Sequence, residues 1–279
     1  MEAYVPKPEN ENPRRHADQL FDAYEVNTVP LSSISRWLKF GWDDLMANPK
    51  ASLPYGLIFA LGGILVNLIM YNDPVFVVAA TAGFLLMGPF LATGEYDISR
   101  ELESGRKISF VQSMKAVSKN SVSFGIYAIF LGLIIVFWVR IAAVITGLFF
   151  HNVDVQQESF WGMWQSMVDM PQGPLYAFIF LGVGFLFAAV VYVTGVVTPQ
   201  LLLDRKVDIV TAASTSVRAV MKSPATFALW AVVISAITGL GLLTFDLGLI
   251  ITMPWISHAS WHLYREVVTT RKEIPKEPL

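Results

Sequence analysis

The sequence predicts an all-α membrane protein: six transmembrane helices in three degenerate helix-pair repeats, each pair preceded by a cytoplasmic interfacial amphipathic helix. Three observations carry this. Of 279 residues, 54% are hydrophobic and only 15% charged, with a mean hydropathy of +0.52, too apolar for an ordinary soluble domain. Uncharged runs recur that are long enough to cross a hydrocarbon core of about 30 Å, which takes roughly 20 residues at about 1.5 Å of rise each. Finally, 19 of the 20 Lys and Arg residues fall in segments that alternate with segments holding none.

Residues 1–31 are polar, rich in Pro, Asn and Glu and without apolar periodicity, which predicts a disordered cytoplasmic tail. Residues 32–270 form the membrane domain, and 271–279 a second cytoplasmic tail. No apolar run behind a basic start precedes the first span, so that span is expected to be retained as the insertion signal. The apolar runs are Pro54–Met70, Pro74–Thr93, Val122–Val139, Pro174–Thr198 and a stretch from Thr226 to about Ser257. The last is too long for one crossing. Gly239, Gly241 and Asp246 stand where a hairpin needs flexible or wettable residues, so it reads as two helices.

Charge partition sets the topology. The segments before the first span, between spans two and three, between four and five, and after six hold all the basic residues but Arg140. The opposite connections, around Asn72, from His151 to Gly173 and around Asp246, hold no Lys or Arg, only Asp73, Asp154, Glu158, Asp169 and Asp246. Under the positive-inside rule both termini are cytoplasmic and the number of spans is even. Arg140 lies roughly 28 Å along a helix from Ser121 and is expected at the outer interface, with Trp138 as its aromatic anchor.

Before spans one, three and five lie amphipathic segments. Ile34, Trp37, Leu38, Gly41, Trp42, Leu45 and Met46 make the first apolar stripe, ended by Asn48-Pro49. Phe110, Met114 and Val117 make the second; Val210, Ala213, Val217, Val220 and Met221 the third. Such helices are expected in the interface, apolar sides in lipid and basic sides toward anionic headgroups. Spans two, four and six carry Pro89, Pro199 and Pro254 near their cytoplasmic ends, where the missing N–H and the ring should kink or end each helix. Tyr96 and Arg100-Glu101 follow Pro89 at the offsets at which Trp261 and Arg265-Glu266 follow Pro254. The repeat units accordingly begin near Ser32, Lys107 and Val207. The middle outer hairpin, with Phe160, Trp161, Met163, Trp164 and Met167, fits a short helix on the outer leaflet.

Chemistry-bearing residues are few. His258 and His262, four apart on one helical face, are the candidates for holding a metal or haem. The residues between them complete no HExxH pattern, and Trp261 and Tyr264 beside them suggest an interfacial cluster whose imidazoles meet water or headgroups. The remaining histidines, His16 and His151, cannot meet His258 within one bilayer, so no haem and no other cofactor is expected. Zero cysteines exclude disulfides and thiolate metal sites. Glu95, just past Thr93-Gly94, is expected to be solvated at the cytoplasmic interface. Asn67, Thr81, Thr146, Thr194, Thr238 and Thr244 should bond to backbone or a neighbouring helix. The small-residue pairs Ala79/Gly83, Ala128/Gly132, Gly184/Ala188 and Ser235/Gly239 suggest close helix contacts, within the bundle or in a homo-oligomer. No nucleophile elbow, phosphate-cradling loop or intramembrane Asp pair is present, so neither an enzyme nor a nucleic-acid partner is indicated.

The stretch Gly88-Pro89-Phe90-Leu91-Ala92-Thr93-Gly94, continuing Tyr96-Asp97-Ile98-Ser99-Arg100-Glu101-Leu102-Glu103, resembles the bacterial membrane family catalogued as domain of unknown function 2189. Phe137-Trp138-Val139-Arg140-Ile141-Ala142-Ala143 and His258-Ala259-Ser260-Trp261-His262-Leu263-Tyr264-Arg265 are similar to other recurrent segments of it, and the likeness runs from about Trp37 to Val267. Glu95 departs from the apolar residue commoner at its position. The resemblance implies a six-span bacterial inner-membrane protein without established activity; some members carry a cytochrome c oxidase label, which the dearth of intramembrane histidines here does not support. The functional expectation is a non-catalytic scaffold or accessory protein, in a membrane complex that could include a respiratory oxidase. The alternative is a transporter or channel for a small weakly polar solute, gated at the Pro kinks.

Overall fold

The computed structural model describes residues 24–69, 74–150, 171–205 and 207–270. The expectations for residues 1–23, for Asn72 and Asp73, for the hairpin 151–170 and for 271–279 lie outside the described residues. The chain runs β1 (Tyr24–Val26), α1 (Ser33–Ala47), α2 (Pro49–Ile69), α3 (Pro74–Leu86), α4 (Gly88–Leu91) and α5 (Thr93–Glu103). It continues through α6 (Phe110–Ser113), a 3-10 helix (Met114–Asn120), α7 (Ser121–Phe150), α8 (Gly173–Gly195), α9 (Thr198–Asp204), α10 (Ile209–Lys222), α11 (Pro224–Leu243), α12 (Leu249–Val267) and β2 (Val268–Thr270).

Among the described residues, four helices are long and apolar enough to cross a membrane: α2, α7, α8 with its continuation α9, and α11. Their outward side chains are large and bare; Phe178 is 78% exposed, Phe185 71% and Leu148 70%, a surface that only lipid can solvate. The second and sixth expected spans take other forms. Pro89 sits at the second position of α4, and the run Pro74–Thr93 breaks there into α3 and α4, followed by α5. Helix α12 is continuous through Pro254 but carries Ser257, His258, His262 and Arg265, too polar to stand as a span on composition alone. Pro199 likewise sits second in α9, where the fourth run breaks after Gly195.

The hairpin between α11 and α12 lies where Gly239, Gly241 and Asp246 indicated, but its left-handed residues are Phe245 and Asp246, at φ 55° and 66°. Thr244 holds the turn by accepting from Gly248 N at 2.7 Å, and Asp246 accepts from Asn67 Nδ2 at 2.8 Å. Residues 24–29, expected to belong to a disordered tail, are ordered. Tyr24–Val26 pairs antiparallel with Val268–Thr270, and Val26 and Val29 are buried, so local polarity understated a segment that the chain's other end holds.

The first amphipathic helix has the expected bounds, but its apolar stripe is divided: Trp42 and Met46 are exposed, and the rest turns inward. Ile34, Trp37, Gly41 and Leu45 are buried, packed largely on α12, with Gly41 so close that a Cβ would meet Ala259 N at 2.5 Å. On α10 the inward face is made by Thr211, Ala212, Thr215, Ser216 and Ala219, and Val210 and Met221 of the apolar stripe are exposed, as an interfacial helix requires. Helix α7 extends ten residues past Arg140, which is exposed on its side. Trp138, expected as an anchor, is buried, donates to Ala79 O at 2.9 Å and packs edge-on to Phe180.

Candidate functional site

Helices α1, α2, α5 and α12 converge on one buried polar junction. On α2, Ser52 and Tyr55 are one turn apart; on α5, Glu95 and Ser99 are four apart on one face; on α12, Ser257 and His258 point into the same core. The approach is close because one residue lacks a side chain: a Cβ on Gly94 would lie 1.8 Å from Tyr55 Oη.

His258 is fully buried rather than at an aqueous interface. Its Nδ1 lies 2.7 Å from Ser99 Oγ and its Nε2 2.9 Å from Ser52 Oγ. Ser99 Oγ donates to Asp44 Oδ2 at 2.6 Å, and the same oxygen is 2.9 Å from His262 Nε2. Ser52 Oγ is 3.1 Å from the carbonyl of Asn48, at the junction of α1 and α2. One unbroken chain of hydrogen bonds thus runs from Asp44 and His262, both partly exposed, through Ser99 to His258 and Ser52, both fully buried. Tyr55 Oη bonds Ser113 Oγ at 2.7 Å beside it.

Glu95, expected in solvent, is the other surprise. Its side chain is fully buried and neither carboxyl oxygen has a hydrogen-bond partner. Burial pushes the carboxyl up to about 8. Ser257 beside it works in the opposite direction and is outweighed, its own hydroxyl proton going to Met253 O at 2.8 Å. Tyr127 Oη, Gln200 Oε1 and Trp230 Nε1 are also buried without partners. Tyr127 and Trp230 share one core with Tyr96 and Trp261, and the Gln200 amide nitrogen reaches Ser260 O at 3.5 Å. Between α2 and the α4–α5 break opens an apolar cavity of about 160 Å³, lined by Tyr55, Phe59, Phe90, Thr93 and Gly94 among others.

The remaining sequence-derived residues form interhelical ties around this junction. Arg100 pairs with Asp97 and Glu101 and donates to Leu203 O at 3.1 Å. Trp261, expected to anchor in headgroups, is buried; it donates to Glu103 Oε1 at 3.0 Å and stacks on Tyr264, whose hydroxyl reaches Asp204 Oδ2 at 2.8 Å. Arg265 meets Glu103 at 3.3 Å, while Glu266 accepts from Ser33, Arg36 and Trp37 at 2.8, 2.5 and 2.7 Å. Pro89, Pro199 and Pro254 bear on the site through the helices they start or occupy, and Arg140 stands apart on α7. Sequence reasoning missed Asp44, Ser52 and Ser99. The only available signal was hydroxyl and carboxyl groups at helical spacing beside His258. Among the described residues no cluster of three His, Cys, Asp or Glu could hold a metal.

No curated protein and no solved structure matches the chain. With four apolar helices and lipid-facing surfaces in place, the sequence comparison agrees with the fold: residues 77–204 match the model of the family domain of unknown function 2189, described as a predicted integral membrane protein.

Proposed function

We propose that the chain is a six-span transporter of a small, weakly polar solute, built from three helix pairs with both termini on the cytoplasmic side of the inner membrane. In this reading α3 with α4, and α12, complete the crossings begun by α2 and α11, and the basic segments stay on one side. Three pairs, each introduced by an amphipathic element, account for α1, for α6 with the 3-10 helix, and for α10.

The observation that carries the transport reading over the scaffold reading is Glu95. Burying a carboxyl without a partner costs several kcal/mol when it is charged, and a buried ionisable group next to a helix break marks a candidate functional site. A scaffold gains nothing from it. Native interiors leave few polar groups unpartnered, and here Glu95, Tyr127, Gln200 and Trp230 are all so placed around helices interrupted at Pro89 and Pro199. Broken helices and unpaired polar groups are what a path for a weakly polar solute requires.

Purified protein in liposomes should pass at least one class of small solute, and Glu95→Gln or Pro89→Ala should change that flux several-fold. Absence of flux for every class tested, together with a stoichiometric membrane partner found by mass spectrometry after mild-detergent purification, would restore the accessory-subunit reading, with a respiratory complex as one partner to look for.

A further inference from the structure

The hydrogen-bond chain through His258 can be filled with protons in two complete ways. In the first, Asp44 is protonated and donates to Ser99 Oγ, Ser99 donates to His258 Nδ1, and Nε2–H donates to Ser52, whose own proton goes to the Asn48 carbonyl. In the second, Asp44 is a carboxylate accepting from Ser99, and Ser99 accepts from Nδ1–H of an imidazolium whose Nε2–H still donates to Ser52. Every donor and acceptor of the chain is used in both, with no heavy atom displaced. A hydroxyl that accepts on one side and donates on the other passes a proton without carrying charge itself.

We propose that Asp44, Ser99 and His258 form a proton relay, in which a proton taken from water at Asp44 is handed through Ser99 Oγ to His258 Nδ1. In the step the Asp44 O–H bond breaks as a new Ser99 O–H bond forms, and the original Ser99 O–H bond breaks as Nδ1–H forms. The products are the Asp44 carboxylate and the His258 imidazolium, and water resupplies Asp44. The entry end is wet, since the Asp44 and His262 side chains are 17% and 16% exposed, whereas Ser99 and His258 are fully buried. The titratable groups around the relay are Asp44 from α1, Tyr55 from α2, Glu95 from α5 and His262 from α12. Of these His262 contacts Asp44 directly, and Glu95 stands one turn from Ser99 on the inner side. The relay does not depend on whether a solute is moved.

Nitrogen NMR of the intact protein in nanodiscs, labelled at histidine, tests this. Substitution of His16 and His151 assigns two of the four histidines, and His258→Asn separates the remaining two. Burial holds the His258 imidazole below its ordinary range, so as pH falls from about 7 to 3 its Nδ1 should pass from unprotonated to protonated while Nε2 stays protonated. Ser99→Ala removes the acceptor of the Nδ1 proton and should abolish the change at Nδ1 over the same range. A wild-type Nδ1 constant throughout would overturn the relay, even if Ser99→Ala fails to fold. So would a Nδ1 titration in Ser99→Ala indistinguishable from wild type.

Discussion

Two buried regions of this bundle are held by opposite means. Around Trp138 the contacts are aromatic and aliphatic: Ala79, Ala142, Ile145, Tyr176 and Phe180 enclose the indole, and the single N–H is spent on the Ala79 carbonyl. Around His258 they are hydroxyls, imidazoles and carboxyls, with Glu95 unpaired among them. In lipid the first arrangement is what close packing alone selects, because tails are as apolar as Leu and association rests on fit. The second works against that preference, and every polar group in it without a partner is a cost. Buried polar groups are therefore gathered around His258, and apolar contact dominates around Trp138.

The contrast can be broken most strongly at Glu95. With an ordinary carboxyl value of 4.5 in the unfolded chain and about 8 when folded, the native state binds the extra proton between those two pH values. Stability is then highest below pH 4.5, falls as pH rises toward 8, and is level above, by on the order of a few kcal/mol in all. Glu95→Gln should flatten this slope and leave the variant more stable than wild type in alkaline detergent solution; thermal melts across pH give the comparison. A wild-type profile already flat in that window contradicts the assignment.

Trp138→Ala attacks the other region. It opens a cavity and leaves the Ala79 carbonyl without its donor, for a loss of about 3 kcal/mol, at the lower end for an aromatic truncation because lipid replaces part of the lost contact. The loss should be independent of pH, which chemical denaturation at two pH values distinguishes from Glu95. The smallest effect is expected outside both regions, at the N-terminus of α10. Burial is the largest single influence on the Asp208 carboxyl and raises it, but bonds from Thr211 Oγ1 and from the amides of Thr211 and Val210 together outweigh it and hold the group below the usual range. Asp208→Ala should cost about 1 kcal/mol. That contribution is present above the ordinary carboxylate value and disappears as pH falls through the folded one, the reverse of Glu95.

Legibility from sequence differed between the regions for a physical reason. Helix ends set by Asn48-Pro49 and by Pro89 and Pro199 were readable, because a proline acts on its own backbone. The polar partners of Asn67 and Thr146 were readable in kind, since such groups find a nearby carbonyl or a neighbouring helix: Asn67 bonds Gly63 O at 3.0 Å and Thr146 bonds Ala142 O at 2.8 Å. Close approach was not. Of the small-residue pairs, Gly83 and Gly184 pack on α7 and Gly132 and Gly239 meet no described residue of this chain, whereas Gly41, Gly56 and Gly94, outside any such pair, sit against Ala259, Ile250 and Tyr55. Spacing shows that a helix has a narrow face, never which helix it meets.

What the sequence by itself determined is the class of this protein: long apolar helices with outward Phe and Leu, basic residues gathered into alternate connections, and breaks at the prolines. These are properties of single segments against water or lipid. Only the tertiary structure decided that one side of α1 packs on α12, that Glu95 and His258 are buried rather than solvated, and that Asp44, Ser99 and Ser52 join them. Those outcomes depend on which of several similar helical faces pair, and pairing is chosen by shape across residues as far apart as Ser52 and His258.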